Sequence, residues 1–433
     1  MARIRHSSES SRLAVIGAGP VGLETALEAA SRGWDVVVYE SGRVGEHLHR
    51  YGETALFTPF GMNSTPRGKE RLRTEGHRVP AEDEILGARD LAERYLAPIA
   101  ALPELRGAVR EGCRVTHVGR RAVTKTRGVV ATGDSSRQTC AFLLRVETAE
   151  GTSFEEAGVV VDATGVYGQP NATGPGGLPA VGEEAVHDRI DRHLPPSLAM
   201  ARERYGSRRV LLVGDGHSAA TALGMFDTLE KDAPRRAPLC VEWVCRDRGR
   251  IRPFEVVTDD PLPARRDLMD AANRIAASSP WLTTHLGAEI VSYEAAGNGA
   301  LRVELATREG RKRIEVDRVL ALVGYRPDLS ITRELHVHHC YASEGPMNLA
   351  SAVLAARLAP SGVAGDCLAQ VSHGPESLRN PEPGFFLLGS KSYGRNAAFL
   401  LAVGHRQIQD VFILIGSPAA SRASLETAPS TSS

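Results

Sequence analysis

Two glycine-rich turns constrain this chain more than any other feature of its sequence. Residues 17–22 read GAGPVG and follow the apolar run 13–16, while residues 214–219 read GDGHSA and follow the apolar run 210–213. The spacing GxGxxG, or GxGxxA, between a strand and a helix is typical of a turn that binds the pyrophosphate of a dinucleotide. A single match is weak evidence. Two matches, each followed by a helical pattern, predict two bound dinucleotides, and the usual pair is a flavin and a nicotinamide cofactor.

The first turn carries the complete pattern of a dinucleotide-binding turn. Gly17 permits a tight turn, Gly19 lets the backbone approach a pyrophosphate, and Gly22 lets the helix pack against the strand. The N–H groups at the start of that helix, predicted from Val21 to Arg32 directly after Pro20, are then directed at the phosphates. Glu40 ends the next strand, where an acid accepts hydrogen bonds from ribose hydroxyls.

The second turn favours NADPH. We predict phosphate contacts for Gly214, Gly216, His217 and Ser218 at the start of its helix. The strand at 239–244 is not closed by an acid but is followed by arginines, and a guanidinium suits a 2′-phosphate. The predicted ligands of that phosphate are Arg246 and Arg248. The alternative is a solvated basic loop, because Asp247 lies between the two arginines.

Composition excludes several classes of protein. The chain has 433 residues, with 52 Lys and Arg against 52 Asp and Glu, and it lacks the basic surface expected of a nucleic-acid-binding protein. Its apolar runs are too short to span a membrane, and the polar segment Met1–Ser11 lacks a signal core. Six cysteines without regular spacing predict a reducing, cytoplasmic environment. The oligomeric state stays open, a homodimer included, and the expected partner is a small-molecule substrate.

The order of the patterns predicts an α/β fold with two nested Rossmann-like domains. The expected FAD-binding domain comprises residues 12–200 and 326–416, and the NAD(P)H-binding domain, residues 207–325, is inserted between them. The tail 417–433 is rich in Ser, Ala, Thr and Pro and is predicted to be disordered. The stretch 41–80 is rich in glycine, proline and histidine, and a long irregular segment within a domain is usually functional.

Five markers in chain order carry a family resemblance. They are the first glycine turn, Glu40, the Ala163-Thr164-Gly165 turn after an apolar strand, the second glycine turn, and the segment 324–328, GYRPD. Together they resemble the FAD- and NADPH-dependent class B monooxygenases and their disulfide-reductase-like relatives over residues 12–415. The resemblance implies a glutathione-reductase-like FAD domain, with Thr164 and Gly165 beside the flavin.

The same resemblance assigns the flavin's ribityl chain to a late loop. Related proteins often have a Gly-Asp pair there, where this chain has Gly389 and Ser390, so a backbone N–H or the Ser390 hydroxyl is the expected substitute. No Cys-x-x-Cys occurs, and neither does the fingerprint of flavin monooxygenases before residue 210. We expect an oxidoreductase, with monooxygenation of a small organic substrate favoured. The alternatives are an NADPH-dependent reductase or oxidase, and a flavin-bearing redox sensor.

Cys367 and His373 are the candidate catalytic side chains. They precede the Gly389 loop, and a thiol near an imidazole can act as a nucleophile. A plain buried cysteine is the more common alternative. The cluster His336-Val337-His338-His339-Cys340 resembles a metal site, but on a strand only His336 and His338 share a face, so we predict an exposed polar strand and no metal.

Overall fold

Sixteen strands are present in the part of the chain that the structure, a computed structural model, describes: residues 11–127, 136–232, 239–246, 249, 252–297, 299–358 and 372–416. They are β1 (Arg12–Ile16), β2 (Asp35–Tyr39), β3 (Val109–Arg110), β4 (Arg114–Arg120), β5 (Phe142–Thr148), β6 (Gly151–Ala157), β7 (Val159–Asp162), β8 (Ile190–Asp191), β9 (Arg209–Val213), β10 (Cys240–Cys245), β11 (Leu282–Leu286), β12 (Glu289–Ala295), β13 (Leu301–Thr307), β14 (Gly310–Val316), β15 (Arg318–Ala321) and β16 (Phe385–Leu387).

Twelve α-helices lie in the same described ranges. They are α1 (Pro20–Ser31), α2 (Glu46–Tyr51), α3 (Phe60–Asn63), α4 (Pro66–Thr74), α5 (Ala88–Leu91), α6 (Ala97–Ala100), α7 (Ser136–Thr139), α8 (Leu198–Tyr205), α9 (His217–Lys231), α10 (Pro263–Ser278), α11 (Met347–Leu358) and α12 (Leu401–Ile415). Among these described helices, none is long and apolar enough to cross a membrane.

The first parallel sheet has the order β16-β7-β1-β2-β3. Its central strand β1 is apolar from Leu13 to Ile16 because both of its faces are covered there. Leu13 and Val15 contribute to a core with α1 and α12, whereas Ala14 and Ile16 pack toward the antiparallel sheet β4-β5-β6. Alternate side chains of a strand point to opposite faces, so one short apolar run serves both cores.

The second parallel sheet, β11-β10-β9-β15-β8, repeats this arrangement. Val210 and Leu212 of β9 pack in a core with α9 and α10, while Leu211 and Val213 pack toward the antiparallel sheet β12-β13-β14. Each half of the molecule therefore has three layers: helices, a parallel sheet and a small antiparallel sheet.

The two sheets are nested in the chain. The chain leaves the first sheet after β7, builds the second sheet between β8 and β15, and returns as β16, which pairs with β7. This confirms the predicted α/β class with two Rossmann-like units. Strand β8 pairs with β15, so residues 190–191 already belong to the second sheet, although the sequence prediction placed 12–200 in the first domain. The tail 417–433 lies outside the described residues.

The segment 41–80 is more regular than the sequence suggested, because it contains α2, α3 and α4. Long-range contacts support these short helices. The hydroxyl of Thr65 caps α4 by accepting from the N–H of Gly68, and the buried carboxylate of Glu24 accepts from both the N–H and the hydroxyl of Thr65. The carboxylate lies 41 residues away in the chain, which is why local sequence did not reveal the helix.

The prediction of an exposed strand at His336–Cys340 is wrong. Within these described residues the only ladder contact is an isolated bridge between His339 and Pro346. The N–H of His336 instead donates to the carboxylate of Glu382 at 2.7 Å, and that buried carboxylate is also paired with Arg120 and Arg137. A backbone donor satisfied by a side chain is not available to a neighbouring strand.

Candidate functional site

A single cleft of about 1520 Å³ lies at the carboxyl ends of both parallel sheets. Its walls include both glycine turns, the Thr164 turn and the Gly389 loop. Ligands of open α/β sheets bind at this edge. The cleft exceeds the roughly 300–1,000 Å³ of a pocket for one small ligand, so it has room for more than one.

The geometry of the first turn requires glycine at two of its three positions. Gly17 has a φ of +101°, and a Cβ there would lie 2.8 Å from the carbonyl oxygen of Ala163. A Cβ on Gly22 would lie 1.9 Å from the carbonyl oxygen of Gly17. Gly19 differs, since nothing lies within 4 Å of the position of its Cβ. The missing side chain of Gly19 therefore leaves open space at the start of α1.

The start of α1 has the properties of an anion site. Gly19 is the N-cap and offers no side-chain cap, Pro20 is the first helical residue, and the first turn contains no acidic side chain. The first N–H groups of a helix have no partner within the helix, and the helix dipole adds positive potential there. Gly17, Gly19 and Pro20 all line the cleft.

Glu40 lines the cleft at the end of β2, but its carboxylate already has protein partners. It accepts from the backbone N–H groups of Ala18 and Gly42, each at 2.8 Å. Its Oε1 also accepts from the Ser41 hydroxyl at 3.4 Å, whereas Oε2, which accepts from Ala18, can accept a further hydrogen bond. The residue therefore holds the glycine turn in place and retains the capacity for the predicted contact with ribose.

The Thr164 turn is organised by a buried ion pair that the sequence did not reveal. Asp162 accepts from the N–H of Thr164 at 3.1 Å and from its hydroxyl at 2.7 Å. Lys391, from the late loop, donates to Asp162 at 2.6 Å and to the Thr164 hydroxyl at 3.0 Å. The Thr164 hydroxyl thus serves the turn itself, while Gly165, with φ of +69°, carries the chain into the wall of the cleft.

In the late loop, Gly389 is held by its own neighbours. Its N–H donates to the side chain of Gln407 at 3.0 Å, and its carbonyl accepts from the hydroxyl of Ser392 at 2.7 Å. The Gly389 N–H is therefore not the free donor that the sequence interpretation allowed. Ser390 lines the cleft and stays the candidate ligand, together with a buried amide nitrogen of Asn396 that has no partner among the described residues.

In the second glycine turn, as in the first, the first glycine has no room for a side chain and the second glycine has open space beside it. Gly214 has φ of +132°, and a Cβ there would lie 2.4 Å from the carbonyl oxygen of Leu322. Nothing lies within 4 Å of the Cβ position of Gly216. The indole N–H of Trp243 donates to the Gly214 carbonyl at 2.8 Å and fixes the turn against β10.

Arg246 follows β10 and lines the cleft beside this turn. Its side chain is 73% exposed, and its guanidinium contacts the carboxylate of Asp215 at 2.9 Å. An exposed, planar guanidinium at the mouth of a cleft is suited to a phosphate. Arg248 lies outside the described residues.

His217 and Ser218 connect the second turn with the segment 41–80. The His217 ring packs against Phe57 at a centroid distance of 5.2 Å, and burial, with Arg265 nearby, lowers the pKa of His217. The Ser218 hydroxyl is hydrogen-bonded to Tyr51. These side chains therefore join the two halves of the molecule, and the backbone N–H groups of α9 are left as the groups that would face a phosphate.

Five rings form a cluster where the two sheets meet, here called the junction cluster: His47, Tyr51, Tyr167, His193 and Tyr325. Tyr167, after the Thr164 turn, stacks on Tyr325, after β15, with ring centroids 4.5 Å apart. Burial lowers the pKa of both histidines and raises the pKa of all three tyrosines. Near neutral pH the cluster is consequently uncharged.

Of the two predicted catalytic residues, only His373 lies in the part of the chain that the structure describes. Cys367 lies outside the described residues. His373 is described but is not among the residues that line the cleft; its neighbour Ser372 is hydrogen-bonded to Asp410 in the last two turns of α12. In the described part of the chain, no group of three or more His, Cys, Asp or Glu side chains is placed to hold a metal.

Comparison with known proteins identifies the fold. Bacillithiol disulfide reductase from Bacillus cereus superimposes with a TM-score of 0.65 at 17% identity, covering 94% of this chain and 98% of that one. Ornithine N-hydroxylase from Kutzneria sp. 744 gives 0.63 at 16% identity, covering 93% and 98%. Thioredoxin reductase from T. acidophilum gives 0.55 at 15% identity, covering 96% and 100%. No family model and no curated protein sequence matches the chain. At these identities the likeness shows the fold alone, which this chain shares with these reductases and this hydroxylase.

Two glycine variants separate folding from ligand binding at the first turn. Gly22→Ala should destabilise the protein by about 1–3 kcal/mol, because its Cβ would overlap a carbonyl oxygen of the backbone. Gly19→Ala should fold normally but bind FAD at least about tenfold more weakly, because its Cβ fills the space through which the turn approaches a pyrophosphate. Thermal unfolding and FAD titration measure the two effects.

Gly224→Ala is the matched control, since this glycine lies within α9 with nothing inside 4 Å of its Cβ position. It should leave FAD affinity unchanged and stabilise the helix by roughly 0.5–1 kcal/mol. A Gly19→Ala variant that holds FAD as tightly as the parent would show that the pyrophosphate does not lie at this turn.

Proposed function

We propose that this protein is an FAD-dependent oxidoreductase that uses NADPH, and that it acts as a monooxygenase on a small organic substrate. FAD, when bound, would supply the redox chemistry, and NADPH would supply the electrons. The observation that carries the proposal is the continuity of one cleft between two glycine turns, each at the carboxyl end of its own parallel sheet.

The residues of the first half suit FAD. The open space at Gly19 and the uncapped start of α1 fit a pyrophosphate, and Glu40 retains acceptor capacity for a ribose. Ser390 and the unpartnered amide of Asn396, which also line the cleft, offer further donors.

The residues of the second half suit NADPH. Strand β10 ends in Cys245 rather than in an acid, so no carboxylate occupies the position that would receive a ribose 2′-hydroxyl. Arg246 stands directly beyond it, exposed and within contact of the turn. The turn's own Asp215 is neutralised by this arginine, which reduces the repulsion of an anionic ligand.

The cysteines argue against a disulfide-based mechanism. The five cysteines in the described ranges, at 113, 140, 240, 245 and 340, are all unpaired. Among these only Cys113 lines the cleft, where it is adjacent to Glu40, and burial raises the pKa of its thiol. A thiol with a raised pKa is a weak nucleophile. Molecular oxygen or an organic acceptor is then the better partner for the flavin.

The comparisons support this choice without deciding it. The ornithine N-hydroxylase of Kutzneria sp. 744 shares the fold, as does a cadaverine monooxygenase from Erwinia amylovora, at a TM-score of 0.63. Reductases share it as well. The distinction between oxygen insertion and simple reduction therefore rests on the reaction of the reduced protein with oxygen.

That reaction is measured by mixing the NADPH-reduced, FAD-loaded protein with oxygen in a stopped-flow spectrometer. A monooxygenase should show a third spectrum, distinct from those of oxidised and reduced flavin, that persists before the oxidised form returns. An immediate return to the oxidised spectrum, with one hydrogen peroxide released per flavin at the same rate, would instead identify an oxidase or reductase.

The preference for NADPH is tested with Arg246→Ala. Losing one charge-assisted contact with the 2′-phosphate should raise the KM for NADPH roughly ten- to hundredfold and leave the KM for NADH nearly unchanged. Steady-state reduction of a dye, with each cofactor in turn, gives both values.

Arg202→Ala is the matched control, since Arg202 is also exposed and paired with an aspartate, Asp232, at 2.8 Å, but does not line the cleft. It should change neither KM. If the KM values for NADPH and NADH increase equally in Arg246→Ala, the arginine neutralises Asp215 and does not bind the 2′-phosphate.

A further inference from the structure

The ion pair between Lys391 and Asp162 is unusual in its burial. Lys391 is 1% exposed and Asp162 is fully buried, although their positions are 229 residues apart in the chain. Burying two charges is costly unless hydrogen bonds compensate them, and a buried pair is therefore weak evidence of a purely stabilising role. Its location beside the Thr164 turn suggests that it serves the site.

The pair is oriented with its positive end toward the cleft. Lys391 and Thr164 line the cleft, whereas Asp162 stands behind them and does not. Lys391 donates to Oδ2 of Asp162, while Oδ1 accepts from the N–H and the hydroxyl of Thr164. A ligand in the cleft would accordingly meet the ammonium before the carboxylate.

The ammonium also has a donor to spare. It carries three N–H bonds, and two of them are directed to Asp162 and Thr164. Among the residues that the structure describes, the third has no acceptor. A buried donor without a partner is expensive, so the geometry indicates an acceptor supplied by a ligand.

The positive charge of Lys391 affects the pKa of two neighbouring groups, of which Asp328 lines the cleft. The pKa of Asp328 is lowered: burial alone would raise it, but hydrogen bonds from Ser330 and the positive charge of Lys391 outweigh burial. The pKa of His339 is lowered by burial and further by Lys391. A cation that acts on Asp328 at the wall of the cleft would also act on a ligand bound there.

We propose that Lys391 donates its third N–H to the flavin and stabilises the negative charge that the flavin acquires on reduction. The inference rests on the proposed function, since it takes FAD as the ligand. Asp162 is then a positioning residue, which holds the ammonium at the wall of the cleft. The consequence is that the site binds reduced FAD more tightly, relative to oxidised FAD, than it would without the cation.

The test compares the dissociation constants of oxidised and reduced FAD, measured anaerobically, in the parent and in variants. In Lys391→Met the preference for reduced FAD should fall about tenfold or more. A tenfold change corresponds to a midpoint potential lower by about 30 mV for a two-electron couple, which a dye-equilibration measurement detects. Neither readout depends on turnover or on knowledge of the substrate.

The variants are chosen so that failure to fold does not obscure the answer. Lys391→Met leaves Asp162 unpaired in the interior, so the double variant Lys391→Met/Asp162→Asn removes both charges together and should show the same direction of change. Lys391→Arg keeps the charge and should retain most of the preference. Glu382→Gln disrupts another buried ion pair that does not line the cleft, and it should lower stability without changing the ratio of affinities.

The outcomes separate this inference from the proposed function. If the parent protein does not bind FAD, the proposed function fails and the inference fails with it. If the parent binds FAD but the folded double variant keeps the parental ratio of affinities, Lys391 does not stabilise the reduced flavin, while the proposed function stands.

Discussion

The cleft depends on two close approaches between backbones. In each half of the molecule, a carbonyl oxygen directly after one strand lies close to the first glycine of the dinucleotide turn. The strands are β7 in the first half and β15 in the second. The oxygens belong to Ala163 and Leu322, and the glycines are Gly17 and Gly214. No side chain fits at either position, and both glycines have positive φ. This contact brings the start of a helix, with its unpaired N–H groups, to the edge where a phosphate can reach it.

The turns after β7 and β15 also join the two halves of the molecule. The loops beyond them run beside each other, with a bridge between Pro170 and Tyr325 and a hydrogen bond from the N–H of Asn171 to the carbonyl of Gly324 at 3.0 Å. Tyr167 and Tyr325 stack where the loops meet. The glycine turns are thereby fixed relative to each other as well as within their own sheets, which makes one cleft out of two binding edges.

Local sequence was sufficient where the structure is set by neighbours in the chain. Both glycine turns, their strands and helices, and the position of Glu40 follow from patterns of fewer than thirty residues. It was insufficient where partners are distant: Glu24 supports α4, Glu382 takes the N–H of His336, and Lys391 reaches Asp162. The sequence shows a lysine in the late loop. Its burial could not be predicted, because it depends on a contact with Asp162 that forms only when distant parts of the chain pack together.

Two dinucleotides bound in one cleft are expected to exchange electrons there. The most direct measurement is an anaerobic titration in which the protein, first loaded with FAD, receives NADPH while the flavin absorbance is recorded. One FAD should bind per chain, and the spectrum of oxidised flavin should be lost after one equivalent of NADPH. Binding of FAD without reduction by NADPH, or no binding of FAD at all, would contradict this expectation.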